Sequence, residues 1–246
     1  MARRSIEILG VRVDDITIAE TLACCEQFIA EGGHHHLVTV NPEFVITAQD
    51  NDEFRRTINA SDCALPDGAG LVWAARLLGG RIRERVTGAD TVPLLAQLAS
   101  QRGFSLYLLG AAPGVADQAA QRLQAAYPGL RIAGTYSGSP RVEEQDEITA
   151  RIRATAPDML FVAYGAPAQD LWISRNRAAL PVPVCMGVGG TLDFIAGIAP
   201  RAPKWMRRIG AEWLFRLVRQ PWRWRRMARL PVYMVRVMQQ RLSARG

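Results

Sequence analysis

Short apolar runs, each too brief for a helix and each followed by a turn holding glycine or proline, recur through the first 200 residues and alternate with stretches of helical period. His36 to Val40, Phe104 to Leu109, Arg131 to Thr135, Met159 to Ala163 and Val182 to Val188 read as strands. Pro42 to Ser61, Gly70 to Leu78, Val115 to Tyr127, Glu143 to Thr155 and Gln169 to Arg177 read as amphipathic helices between them. Alternation at this spacing predicts βαβ units, and so an α/β fold with a mostly parallel, Rossmann-like sheet covered by helices on both faces. Sheets of this kind bind ligands in the crevice outside the carboxyl ends of their strands.

The turns at those ends are therefore where chemistry is expected. They include Thr39-Val40-Asn41-Pro42-Glu43, Gly110-Ala111-Ala112-Pro113-Gly114, Tyr164 to Asp170 and Gly187 to Asp193. Gly187, Gly189 and Gly190 allow the backbone to approach a phosphate, with Thr191 at a helix start; the plainer reading is a turn. Gly110 to Gly114 lacks the spacing of a dinucleotide fingerprint. Asp67, in Leu65-Pro66-Asp67-Gly68-Ala69-Gly70, is held by a Pro/Gly frame and could act as a general base. Capping the helix near Gly70 is the simpler role on these residues alone. Asp50-Asn51-Asp52 has the DxD form that binds a metal in many sugar-nucleotide transferases, but it falls inside the helix predicted over Pro42 to Ser61, away from a buried strand end. His34, His35 and His36 read as a solvated loop, since adjacent side chains of an extended segment point to opposite faces and would not converge on a metal. Cys24, Cys25, Cys63 and Cys185 form no CxxC pair and read as small buried hydrophobes.

Charge divides the chain at Pro200. Residues 1–200 form the predicted α/β core and carry −5, whereas residues 201–246 carry 13 basic side chains, one acid and four of the six tryptophans, for +12. Pro221 and Pro231 are expected to break this appendage into short helices. Ile209, Trp213 and Leu217 line one apolar side, and Met234, Val235, Met238 and Leu242 another. Basic helices with interleaved tryptophan suit an anionic membrane surface; docking on the protein's own core and nucleic-acid binding are the other two readings. No apolar run approaches the roughly 20 residues that cross a bilayer, and the amino terminus lacks the apolar core of a signal peptide. The chain is expected to stay in the cytoplasm.

The ordered blocks Thr39 to Phe44, Pro66 to Gly70, Glu84-Arg85-Val86-Thr87-Gly88-Ala89-Asp90, Gly165 to Asp170 and Gly187 to Phe194 resemble those of the WecG/TagA/CpsF glycosyltransferases, also called glycosyltransferase family 26. The tail block Arg201-Ala202-Pro203-Lys204, with Glu212-Trp213 and Arg216-Leu217, extends the resemblance over nearly the whole chain. The resemblance implies an inverting enzyme that moves a sugar from a UDP-sugar to a polyprenyl-diphosphate-linked glycan. It would work peripherally at the inner membrane face, with no metal, no cofactor beyond its donor and no nucleic acid. It further implies that Asp67 deprotonates the acceptor and that Thr39, Asn41 and Gln169 line the crevice. Gly187, Gly189, Gly190 and Asp193 would meet the nucleotide, Arg85 the sugar or diphosphate, and Arg216, Arg223 and Arg226 the diphosphates. Ala168 and Asp170 depart from the lysine and glutamate usual beside the glutamine. The donor sugar (N-acetylmannosamine, aminouronate or hexose type) and the polymer (teichoic acid, exopolysaccharide or enterobacterial-antigen type) stay open, as does the oligomeric state, a homo-oligomer included. A reductase-like nucleotide-binding enzyme and a non-catalytic nucleic-acid module are the rival readings.

Overall fold

The computed structural model describes residues 4–219, 221, 224 and 228–243. Its centre is a six-stranded parallel sheet of β3 (His35–Val40), β4 (Cys63–Pro66), β5 (Ser105–Gly110), β6 (Arg131–Tyr136), β7 (Met159–Ala163) and β8 (Val184–Gly187), in spatial order β4-β3-β8-β7-β5-β6. A two-stranded antiparallel ribbon, β1 (Ser5–Ile8) and β2 (Val11–Asp14), lies beside β4, where the Ala64 amide donates to the Asp14 carboxylate at 2.9 Å. The order makes β3 and β8 neighbours although they lie at opposite ends of the core sequence.

Alternation along the strands sorts the core into two layers. Leu37, Leu65, Leu106, Phe161 and Met186 face α1 (Ile18–Glu31), α5 (Gly88–Arg102), α6 (Val115–Ala126) and α9 (Thr191–Ile195). Val38, Val40 and Ala64, with Leu109, Leu160 and Val162 farther along the sheet, face α2 (Pro42–Thr47), α3 (Asp52–Ala60), α4 (Ala69–Leu77), α7 (Gln145–Thr155) and α8 (Ala168–Asn176). The expected α/β architecture is the observed one.

Several local expectations need correction. The helix expected from Pro42 to Ser61 is two helices, because Asn51 leaves helical geometry and its side chain caps α3 by accepting from the Phe54 amide at 2.9 Å. Asp50-Asn51-Asp52 is therefore a helix junction, with Asp52 paired to Arg55 at 2.7 Å. His35 and His36 are in β3 and not in a solvated loop; His35 stacks on Phe28 at 3.9 Å and His36 is buried.

The tail contains α10 (Lys204–Arg208), α11 (Glu212–Arg219) and α12 (Arg229–Ser243). Gly210, with φ of +76°, separates the first two, so Ile209 does not continue the face of Trp213. Pro231 sits in the first turn of α12 and breaks nothing, since the first amides of a helix have no partner to lose. The apolar stripe Met234, Val235, Met238 and Leu242 is the exposed side of α12. Its docked side is Tyr233 and Val237, which join the core cluster of Phe44, Leu71 and Ala74. The Tyr233 hydroxyl donates to the Gly70 carbonyl at 3.2 Å, Arg229 donates to Thr47 at 3.0 Å, and Gln240 accepts the Leu9 amide at 2.9 Å.

Since Tyr233 fills core space, Tyr233→Ala should cost about 3–5 kcal/mol, the range for a buried aromatic truncated to alanine. Urea unfolding of the whole chain measures it; a loss below about 1 kcal/mol would show that α12 only rests on the surface.

Candidate active site

The site is assembled where β3, β4, β7 and β8 end. The Thr39 hydroxyl, buried at the end of β3, donates to the Gly187 carbonyl at 3.2 Å and ties the two strand ends together. Two residues on, Asn41 starts α2, its side-chain oxygen accepting the Phe44 amide at 3.1 Å. On the other side of β3, the Asp67 amide donates to the Val40 carbonyl at 2.7 Å, carrying the β3–β4 pairing one residue past Pro66. Gly68 takes the N-cap position of α4 with φ of +118° and no side-chain cap bond. The N-cap is thus Gly68 and not Asp67: the glycine turns the chain against Pro42, which would lie 3.6 Å from a Cβ there, and Asp67 is half-buried at the strand end.

A second group closes on β8. Gln169, in the first turn of α8, accepts the Gly189 amide at 2.9 Å through Oε1. A Cβ at Gly187 would lie 2.5 Å from both Gln169 Nε2 and Asp170 Oδ1, so only glycine lets α8 come this close. Gly189 adopts φ of +52°, and the Asp193 carboxylate lies 3.5 Å from where a Cβ at Gly190 would stand. Gly88, at the start of α5, lies against Thr39 and Thr191: a Cβ there would be 3.8 Å and 3.2 Å from them. The amino-terminal turn of a 15-residue helix, the positive end of its dipole, thereby reaches the same crevice.

Thr39, Asn41, Asp67, Gln169, Gly187, Gly189 and Gly190 are thus brought to the carboxyl ends of neighbouring strands, with Asp193 on the adjoining turn. Arg85 is half-buried and donates to the Arg207 carbonyl of the tail. Arg223 and Arg226 lie outside the described residues, as does the side chain of Arg216. Among the described residues no three His, Cys, Asp or Glu side chains are grouped as a metal would require. Burial pushes the Cys185 thiol up to about 12, which removes it as a nucleophile.

Residues 6–246 match the glycosyl transferase WecG/TagA/CpsF family. The chain belongs to that family. Curated relatives include an N-acetylglucosaminyldiphosphoundecaprenol N-acetyl-beta-D-mannosaminyltransferase of Bacillus spizizenii, 36% identical over 85% of this chain and 81% of the relative. Proteins of the same name from Bacillus subtilis and Staphylococcus aureus are 35% and 31% identical, covering 82% and 94% of this chain and 78% and 91% of their own lengths. The protein is a glycosyltransferase, and the reductase-like and non-catalytic readings fall away.

In this glycosyltransferase the start of the tail is latched to the site by Asp90, a residue whose role the sequence did not disclose. Arg201 reaches its Oδ1 at 2.7 Å and Arg207 at 3.4 Å, while the Thr87 hydroxyl donates to Oδ2 at 2.8 Å. Gly210 then passes over Ala69, next to the Asp67 turn. Burial works against the Asp90 charge, but the bonds from Thr87 and Arg201 and the two guanidinium charges outweigh it, holding the carboxyl below its usual range. A depressed folded pKa means that the latch is complete above the ordinary carboxylate range and is lost as pH falls through the lowered value. Protection of the α10 amides, taken relative to the intrinsic exchange rate at each pH, should therefore be high at neutral pH and fall in acid in the wild type, and be low at both in Asp90→Asn. Equal protection in the two proteins at neutral pH would rule the latch out.

Proposed function

We propose that this enzyme transfers an N-acetylmannosamine-type sugar from a UDP donor to N-acetylglucosaminyl-diphosphoundecaprenol, inverting the anomeric carbon at the inner face of the membrane without a bound metal. The supporting observation is the convergence of Asp67, Thr39, Asn41 and the Gln169-braced glycine loop at the carboxyl ends of neighbouring strands, in a chain whose relatives are named as N-acetylmannosaminyltransferases of N-acetylglucosaminyl-diphosphoundecaprenol. Asp67 takes the proton of the acceptor hydroxyl as its oxygen bonds to the anomeric carbon. The bond from that carbon to the donor diphosphate breaks, and UDP departs with the charge. Fixed donors and cations are needed there; this reading gives that role to the α5 terminus, the glycine loop and Arg85, and gives the diphosphates to Arg216, Arg223 and Arg226.

The exposed side of the tail supports the membrane assignment. No helix among the described residues is long and apolar enough to cross a membrane. Yet among the described residues all the exposed large apolar side chains except Val142 and Ile198 lie between Trp205 and Leu242, on the segment that carries +12. Each basic residue near an anionic leaflet contributes about 1 kcal/mol, and the indoles suit the headgroup level.

Asp67→Asn should fold, bind UDP and lose turnover by about 10²–10⁴, the usual contribution of a general base, whereas EDTA should leave the wild-type rate unchanged. Full turnover in the variant would exclude Asp67 from the chemistry, and a rate abolished by EDTA would exclude the metal-free mechanism. Replacing the exposed Trp205, Trp213 and Val235 by serine should release the folded protein from anionic vesicles in a cosedimentation assay. Wild-type sedimentation of that triple variant would move the membrane contact elsewhere.

A further inference from the structure

Asp170 is fully buried, and neither of its carboxylate oxygens receives a hydrogen bond. An ionised carboxylate without a partner is strongly unfavourable in such a place. Among the described residues, the group at ion-pair distance is the imidazole of His36, itself buried, with Nε2 3.4 Å from Asp170 Oδ1 and no other partner for that nitrogen. Neighbouring groups are committed elsewhere. Asp62 takes the His36 backbone amide at 2.8 Å, His35 at 3.3 Å and Arg177 at 3.6 Å. Cys185, paired with His36 across β3 and β8, is held neutral by burial. His35 and His36 point to opposite faces of the strand, the first to Phe28 of α1 and the second to α8.

Asp170 and Gln169 both straddle Gly187 in the first turn of α8, where a negative charge is also favoured by the helix dipole. Fixing Asp170 to β3 stops that turn from rolling and holds Gln169 Oε1 on the Gly189 amide. We propose that His36 and Asp170 hold one proton between them and act as positioning residues, bracing the glycine loop for the donor diphosphate through Gln169. The inference rests on the reading that this loop meets a UDP donor.

The test uses the full chain with Asp170→Asn, His36→Gln and the double variant, which removes the buried charge altogether and so keeps a folded protein in hand if a single variant unfolds. Side-chain ¹⁵N NMR of wild type should show a protonated His36 Nε2 whose shift changes in Asp170→Asn. UDP Kd and donor KM should each rise about tenfold in either single variant, the size of one ordinary hydrogen bond, with kcat changed less. The double variant should lose no more than that, because the two residues work as one unit. A folded single or double variant with wild-type UDP affinity would overturn the inference even if it melts earlier, as would an unprotonated Nε2 in wild type or losses that multiply to about a hundredfold. A wild-type enzyme that binds no UDP would overturn the donor reading and the inference with it, whereas variants that match a UDP-binding wild type overturn the inference alone.

Discussion

At Gly187 the end of β8 has no side chain, and the first turn of α8 lies where a Cβ would have been. A methyl group at that point would meet Gln169 and Asp170 at 2.5 Å, well inside contact distance. Much of the site depends on this close approach. It lets Gln169 reach the Gly189 amide and brings Asp170 to His36, while the carbonyl of the same glycine receives the Thr39 hydroxyl from β3. Two strands separated by most of the core sequence are thereby locked end to end, and the loop that follows β8 is given one shape. Asp67 follows one strand farther along, its backbone continuing the β3–β4 ladder.

The tail has two sides that do different work. Tyr233 and Val237 belong to the core, and the Asp90 latch with Arg201 and Arg207 brings α10 to the rim of the site. The opposite side presents tryptophan, methionine and aliphatic residues on a strongly basic segment. A membrane-bound acceptor and a nucleotide from solution could meet under this arrangement, since the same segment borders the crevice and carries the apolar surface. The basic segment, separate from the acidic body in composition, is joined to it in part through the Asp90 carboxylate.

What could be read from the sequence follows the range of the interactions involved. Met159–Ala163 is a five-residue apolar run buried on both faces, and its bounds were legible to the residue. β4 escaped because four residues ending in proline carry no period. The split between α2 and α3 turns on the one side chain of Asn51, whose capping bond competes with helical continuation. In α12 the apolar stripe was legible but its direction was not: Tyr233 and Val237 face the core because of the space beside Gly70, which lies 163 residues away. At the site, turn residues such as Asp67 and Gly189 were visible in their local frame. Asp90 and His36 were not, because Arg201 and Asp170, the groups that give them a role, are brought to them only by the fold.

The central claim is that this crevice directs a UDP-sugar onto a lipid diphosphate with inversion. Its most direct measurement is the product formed by full-length enzyme from UDP-N-acetylmannosamine and a short-chain polyprenyl-diphosphate N-acetylglucosamine, with the new linkage assigned by NMR. One β-linked disaccharide on the lipid, with one UDP released for each, is the expected result. An α linkage, or UDP released with free sugar and no lipid-linked product, would contradict it.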